Sequence, residues 1–203
     1  TVILMAKVHL PFLVALPLAS LVAALFGFLL GLPALRLEGP YLSIATLGFG
    51  LTITQVIGRI SLFGGRQGLH TPELTIGPWH LTTDRDFYFL LITITVLLTI
   101  TARNIVKTKV GRAFIAIRDA DIAAETIGVN IGYYKVLAFA VSSSIVAMAG
   151  SLYAYYTNVA SIDEYSFILT INYLAMIIVG GMGSVLGSFM GAFLVTILPF
   201  ILM

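Results

Sequence analysis

Charge in this chain is confined to short clusters that separate long uncharged stretches. Val8 to Leu35 lies between Lys7 and Arg36, Gly39 to Gly58 between Glu38 and Arg59, and Phe87 to Ala102 between Asp86 and Arg103. Val136 to Ile162 follows Lys135, and Tyr165 to Met203 carries no charge at all. About 20 apolar residues in a helix cross the roughly 30 Å hydrocarbon core of a bilayer. The chain therefore reads as an all-α, polytopic membrane protein. Composition agrees: of 203 residues 59% are hydrophobic and 10% charged, and the mean hydropathy is +1.05. Lipid, not water, is the solvent such a chain is built for.

The last run is too long for one ordinary span, and Gly180, Gly181 and Gly183 sit near its middle. It reads as two helices with a glycine break, giving about six spans in all. Phe87 to Ala102 is short, reaching only about 24 Å at 1.5 Å per residue. Continuation to Val106 with Arg103 snorkelling towards the headgroups repairs it. Orientation follows from the basic residues, which concentrate in short cytoplasmic loops. Residues 103–135 hold Arg103, Lys107, Lys109, Arg112, Arg118 and Lys135 against Asp119, Asp121 and Glu125, which places this loop in the cytoplasm. Alternation then puts Gly64 to Asp86 and Asn158 to Glu164 outside, and Arg36 to Pro40 inside.

Several functions lack their residues. With no Cys, thiolate metal sites, disulfides and cysteine nucleophiles are excluded. The three histidines, His9, His70 and His80, have no metal-ligand spacing. An intramembrane serine protease built on Ser184 would need a histidine in a later span to activate it, and none follows. The Gly64 to Gly68 loop is not followed by Gly-Lys-Ser/Thr, so no nucleotide phosphate cradle is present. A formal net charge of +2 points to no nucleic-acid partner.

The residues that remain are those that let helices pack, bend or dock. Gly27 and Gly31, and Gly183, Gly187 and Gly191, recur at four-residue spacing, which lets helix backbones approach closely in lipid. Each series reads either as fixed packing or as a hinge or subunit seam, and Gly180, Gly181 and Gly183 tilt the second towards a gate, because a broken helix in a membrane lines protein or a water path. Gln55 and Asn172 are amides inside spans that either line a pathway or tie helices together. Tyr153, Tyr155 and Tyr156 at one span end read as an interfacial anchor. In the cytoplasmic loop, a short helix is expected from about Asp121 to Ile127, capped by Asp121 and ended by Gly128. Asp121 and Glu125 would share one ridge, and Ala123 and Ile127 another. An acidic ridge in a basic loop reads as a docking surface or, failing that, as a solvated amphipathic loop.

The order of these motifs resembles a known family, the membrane permeases of ABC importers for branched-chain amino acids. The resemblance is carried by Leu32-Pro33-Ala34-Leu35-Arg36-Leu37, by Gly39-Pro40-Tyr41-Leu42-Ser43-Ile44-Ala45-Thr46-Leu47-Gly48-Phe49-Gly50, and by Gly111-Arg112-Ala113-Phe114 through Gly128-Val129-Asn130. Tyr134-Lys135 and Gly180-Gly181-Met182-Gly183-Ser184-Val185-Leu186-Gly187 complete it. The resemblance implies a sister permease, two cytoplasmic ABC ATPase subunits that bind ATP and Mg, an external substrate-binding protein, and residence in a bacterial or archaeal inner membrane. It implies no cofactor in this chain and no enzymatic activity of its own. It makes Asp121 to Gly128 the coupling helix, with Arg112, Arg118, Asp119, Asp121, Ala123, Ala124, Glu125 and Gly128 as residues that couple to the ATPase, and Gly180, Gly181, Gly183 and Gly187 as the gate. The chain departs from the family at Gly65-Arg66-Gln67-Gly68-Leu69, where Gly-Pro-Asn-Gly and an apolar residue are usual, and lacks the family's early glycine-rich span. A single permease domain over residues 1–203, cut at both ends from a longer chain, is the expectation. Permeases for urea, amides or sugars, and a channel subunit without ATP coupling, are the alternatives.

Overall fold

The computed structural model describes residues 1–37, 39–60, 64–65, 67–72, 74–76, 79–80 and 83–202. Arg66, at the departure from the family loop, lies outside them. The chain forms two compact units, Thr1–Ala160 and Ser161–Met203. The first contains α1 (Val2–Val8), α2 (Phe12–Ala34), α3 (Pro40–Arg59), α4 (Asp84–Lys107), α5 (Lys109–Asp119), α6 (Asp121–Thr126) and α7 (Ile131–Thr157). The second contains α8 (Phe167–Gly180) and α9 (Val185–Leu202). Among the described residues, four helices are long and apolar enough to cross a membrane: α2, α3, α4 and α7. The fold is that of an all-α membrane protein. At 14 residues, α8 reaches only about 21 Å, short of a full crossing.

The helix ends fall where local chemistry sets them, which shifts two expected spans. The first expected span starts late, because His9 takes a left-handed conformation (φ 54°) and Pro11 precedes Phe12, so that α1 is a separate helix. The span expected from Val136 instead starts at Ile131, where the Asn130 side chain accepts a bond from the Tyr133 amide at 3.0 Å. It ends at Thr157, because Asn158 is left-handed at φ 60°. α4 runs through Arg103 to Lys107, which supplies the length that the apolar run lacked. Asp84 and Asp86 sit in its first turn, where the helix dipole favours anions.

α2 and α7 pack antiparallel and form the centre of the first unit. A Cβ at Gly27 would meet the Phe139 carbonyl oxygen at 2.6 Å and the Ser143 side chain, and one at Gly31 would meet Val136 Cα at 2.9 Å. These glycines are what lets the two backbones approach. At one end of the pair, Phe12 and Ala15 are fully buried with Leu16, Leu152 and Tyr155, joined by Val2 and Met5 of α1. The Phe12 and Tyr155 rings meet edge to face at 5.3 Å, a favoured aromatic geometry. Tyr155 is therefore core, not an interfacial anchor: its hydroxyl donates to Met5 Sδ at 2.7 Å, whereas Tyr156 is exposed.

Among the described residues, two small antiparallel strand pairs complete this end, and neither was legible in the sequence. β1 (Leu69–His70) pairs with β4 (Val159–Ala160), and β2 (Thr75–Ile76) pairs with β3 (Trp79–His80). The first ties the α3–α4 connection to the chain just beyond α7. At the opposite end of the α2–α7 pair, Gly132 lies beside Leu35. Residues 69–70 and 159–160 thus share one end of the unit, and residues 35 and 132 share the other.

Candidate functional site

The segment between α4 and α7 is built as an elbow, a wedge and a small protruding helix. The elbow is Thr108. Its hydroxyl donates to the Ile105 carbonyl at 2.7 Å and accepts from the Gly111 amide at 3.3 Å, ending α4 and capping α5 with one side chain. Gly111 is buried, and a Cβ there would strike the Ile105 carbonyl and Val106 Cα, so α5 folds back closely on the last turn of α4. The wedge is α5. Ala113 is buried, and the Phe114 ring meets Tyr134 of α7 edge to face at 6.2 Å. α5 therefore touches both α4 and α7.

The protruding helix is α6, which packs on α5 and α7. It covers the expected range less its last residue, but Asp121 does not cap it. Ala120 holds the capping position, and the Asp121 carboxylate accepts from the adjacent Ile122 amide at 2.8 Å. The other end is closed by a Schellman motif: the Val129 amide donates to the Ala124 carbonyl at 3.0 Å and the Gly128 amide to the Glu125 carbonyl at 2.9 Å. Gly128 sits at φ 87°, a conformation that disfavours any side chain.

Within this helix only Ala124 faces inward, at 2% exposure. Ala123 and Glu125 are exposed, as is Asp121. Arg118 and Asp119 pair at 2.9 Å with both side chains 59% exposed, a pair that contributes little. Arg112 is exposed and donates to the Lys107 carbonyl at 3.4 Å. The residue missed in the sequence is Ile122, 78% exposed; Ile127, expected on a ridge with Ala123, is 75% exposed. They flank buried Ala124, so α6 presents apolar side chains outward beside its acidic ones. Two isoleucines in a short segment otherwise rich in charge were the signal.

The late run forms a helical hairpin. α8 stops at Gly180, and Gly181 and Gly183 take φ of 94° and 91° in the connection. Ser184 starts α9: its hydroxyl accepts from the Gly187 amide at 3.1 Å and its carbonyl accepts from Ser188. That hydroxyl serves as a helix cap. A Cβ at Gly180 would collide with the Gly187 carbonyl, and one at Gly191 with the Met176 carbonyl. The packed glycines are thus Gly180, Gly187 and Gly191. Gly183 belongs to the connection, not to the ridge in which its spacing placed it. Gln55 on α3 and Asn172 on α8 are both exposed.

Against this geometry, the comparisons with known proteins give a single answer. The family model described as the branched-chain amino acid transport system / permease component matches residues 1–200. The chain belongs to this family. It is 31% identical to the high-affinity branched-chain amino acid transport system permease protein LivM of Salmonella typhimurium, over 92% of this chain and 50% of the relative. The Escherichia coli LivM is 30% identical over the same shares. The probable branched-chain amino acid transport permease protein LivM of Methanocaldococcus jannaschii is 25% identical, over 86% of this chain and 52% of the relative. This family member thus spans about half the length of the relatives it matches. No solved structure matches.

Proposed function

We propose that the chain is the membrane-spanning part of an ATP-driven importer that moves branched-chain amino acids by alternating access, seated in a bacterial or archaeal inner membrane. ATP and Mg are held by separate ABC ATPase subunits, a sister permease completes the pathway, and an external binding protein delivers the solute. Family membership supports the solute class. The coupling role of α6 rests on one observation: it carries exposed Ile122, with exposed Ile127 at its C-terminal cap, while packing on α5, which itself touches both α4 and α7. A force applied at α6 therefore reaches two spans through packed side chains rather than through a flexible loop. Exposed isoleucines in water are an unfavourable arrangement that an apolar socket on the ATPase relieves.

The test is leucine uptake by vesicles containing the assembled transporter, with ATP and the binding protein. Uptake should require ATP, and Ile122→Ser with Ile127→Ser should lower it at least tenfold while the protein still inserts. That loss corresponds to about 1.4 kcal/mol or more of coupling. Gradient-driven uptake without ATP would make the chain a channel subunit. Uptake of urea or a sugar in place of leucine would move it to another solute class.

A further inference from the structure

The elbow between α4 and α5 carries four cations, of which only Arg112 is among the residues that the family resemblance couples to the ATPase. Arg103 and Lys107 are four residues apart on α4, and Lys109 and Arg112 three apart on α5, so each pair shares one helix face. Arg112 reaches back to the Lys107 carbonyl at 3.4 Å, which places its guanidinium at the last turn of α4. All four are exposed, and none forms an ion pair among the described residues, where Arg118–Asp119 is the salt bridge found. No acidic residue occurs between Asp86 and Asp119, so nothing in this stretch offsets their mutual repulsion. The elbow is also fixed: Gly111 seats α5 against α4 without room for a side chain.

Position decides which anion fits. The apolar part of α4 ends at Ala102, and the helix continues to Lys107, so these cations begin where the hydrocarbon core gives way to headgroups. We propose that the α4–α5 elbow is a seat for an anionic phospholipid, whose phosphate is held between Arg103 and Lys107 on one side and Lys109 and Arg112 on the other. Clusters of Lys and Arg just beyond a membrane span attract anionic lipid, each cation contributing about fivefold. The inference needs only that α4 crosses a bilayer, and stands apart from solute class and ATP coupling.

The experiment places the assembled transporter in nanodiscs of equal parts phosphatidylcholine and phosphatidylglycerol and counts retained lipids by native mass spectrometry. Nanodiscs have the same composition on both faces, so orientation does not enter. The parent should retain phosphatidylglycerol in preference to phosphatidylcholine. The triple variant Lys107→Gln, Lys109→Gln, Arg112→Gln should lose at least tenfold of that preference, while Arg118→Gln keeps it. As a second measure, Arg112→Lys should keep most of it, since charge survives. Equal retention by parent and triple variant would overturn the proposal. So would loss of associated protein subunits from the triple variant with lipid retention unchanged, which would make the elbow a protein-docking surface.

Discussion

The α2–α7 pair and the α8–α9 hairpin use the same device, glycines at four-residue spacing, to different ends. In the first, Gly27 and Gly31 face the Ser143 and Val136 side chains as well as backbone, on two helices of 23 and 27 residues. In the second, Gly180, Gly187 and Gly191 bring backbone against backbone, and the connection holds two further glycines at positive φ. A side chain can turn aside by changing rotamer, whereas a carbonyl in a helix cannot move without breaking its bond. Small residues in a membrane helix thus mark close approach in both places, but only the hairpin combines it with backbone that demands glycine.

The largest effect is therefore expected in the hairpin. Gly191→Leu would drive a side chain into the Met176 carbonyl and the Gly180 backbone, costing more than about 3 kcal/mol, above the usual range for overpacking because backbone cannot relax. Reversible unfolding in mixed micelles, with protease cleavage in the 181–184 connection as a local probe, measures it. A Gly191→Leu protein within about 1 kcal/mol of the parent would mean that the hairpin is looser than described.

Gly27→Leu should cost less, about 1–3 kcal/mol, because part of what it meets is the Ser143 side chain. Gly27→Ala paired with Ser143→Gly sharpens the contrast, since removing that side chain should recover part of the loss. A coupling of at least about 0.5 kcal/mol between the two sites is expected from the same unfolding measurement. Strictly additive changes would show that the Phe139 carbonyl, not Ser143, limits the approach.

Next come Gly181 and Gly183, where space is not the constraint at Gly181: a Cβ there has nothing within 4 Å. Its φ of 94° and ψ of 115° lie where L side chains are strained, so Gly181→Ala should cost about 1–3 kcal/mol. Trimming neighbours should not relieve that loss, unlike the one at Gly27. If the break moves during transport, leucine uptake by Gly181→Ala with Gly183→Ala should fall further than the unfolding free energy accounts for. Uptake that tracks stability alone would make the connection a rigid turn.

What was legible in the sequence follows the same division. Apolar runs between charges gave α2, α3, α4 and α7, because membrane thickness fixes helix length, and the glycine pair at 27 and 31 marked a close helix approach without naming its partner. The position of α6 was legible because Gly128 punctuates it. Three features were not. Gly183 shares the spacing of Gly187 and Gly191, yet spacing says nothing of φ, and the helix had already ended. Tyr155 matches its neighbours Tyr153 and Tyr156 in type, and only the tertiary placement of Phe12 and Met5 makes it core. Asp121 is a good capping residue by type, but its carboxylate turns to the next amide and Ala120 takes the cap. Composition and periodicity register what a residue is; these differences depend on what it meets.

The smallest effect is expected on α3, and it completes the comparison. Gly50 lies between Thr46 and Thr54 at the same four-residue spacing, and Gly48 precedes Thr52 by four, so by sequence this helix carries the motif as plainly as α2. Yet a Cβ at Gly48 or Gly50 has nothing within 4 Å, and both backbones are ordinary helix. Glycine inside a helix costs about 1 kcal/mol relative to alanine. Gly48→Ala and Gly50→Ala should therefore leave the isolated chain's stability unchanged or raise it by up to about 1 kcal/mol. The informative measurement is the same pair of variants in the assembled transporter. If stability rises in the isolated chain but the assembly weakens, the α3 face is covered by another subunit, and its glycines belong with Gly180 and Gly191 as sites of close approach. If both rise together, four-residue spacing on α3 carries no packing role, and the motif acquires meaning only where a second helix is present to meet it.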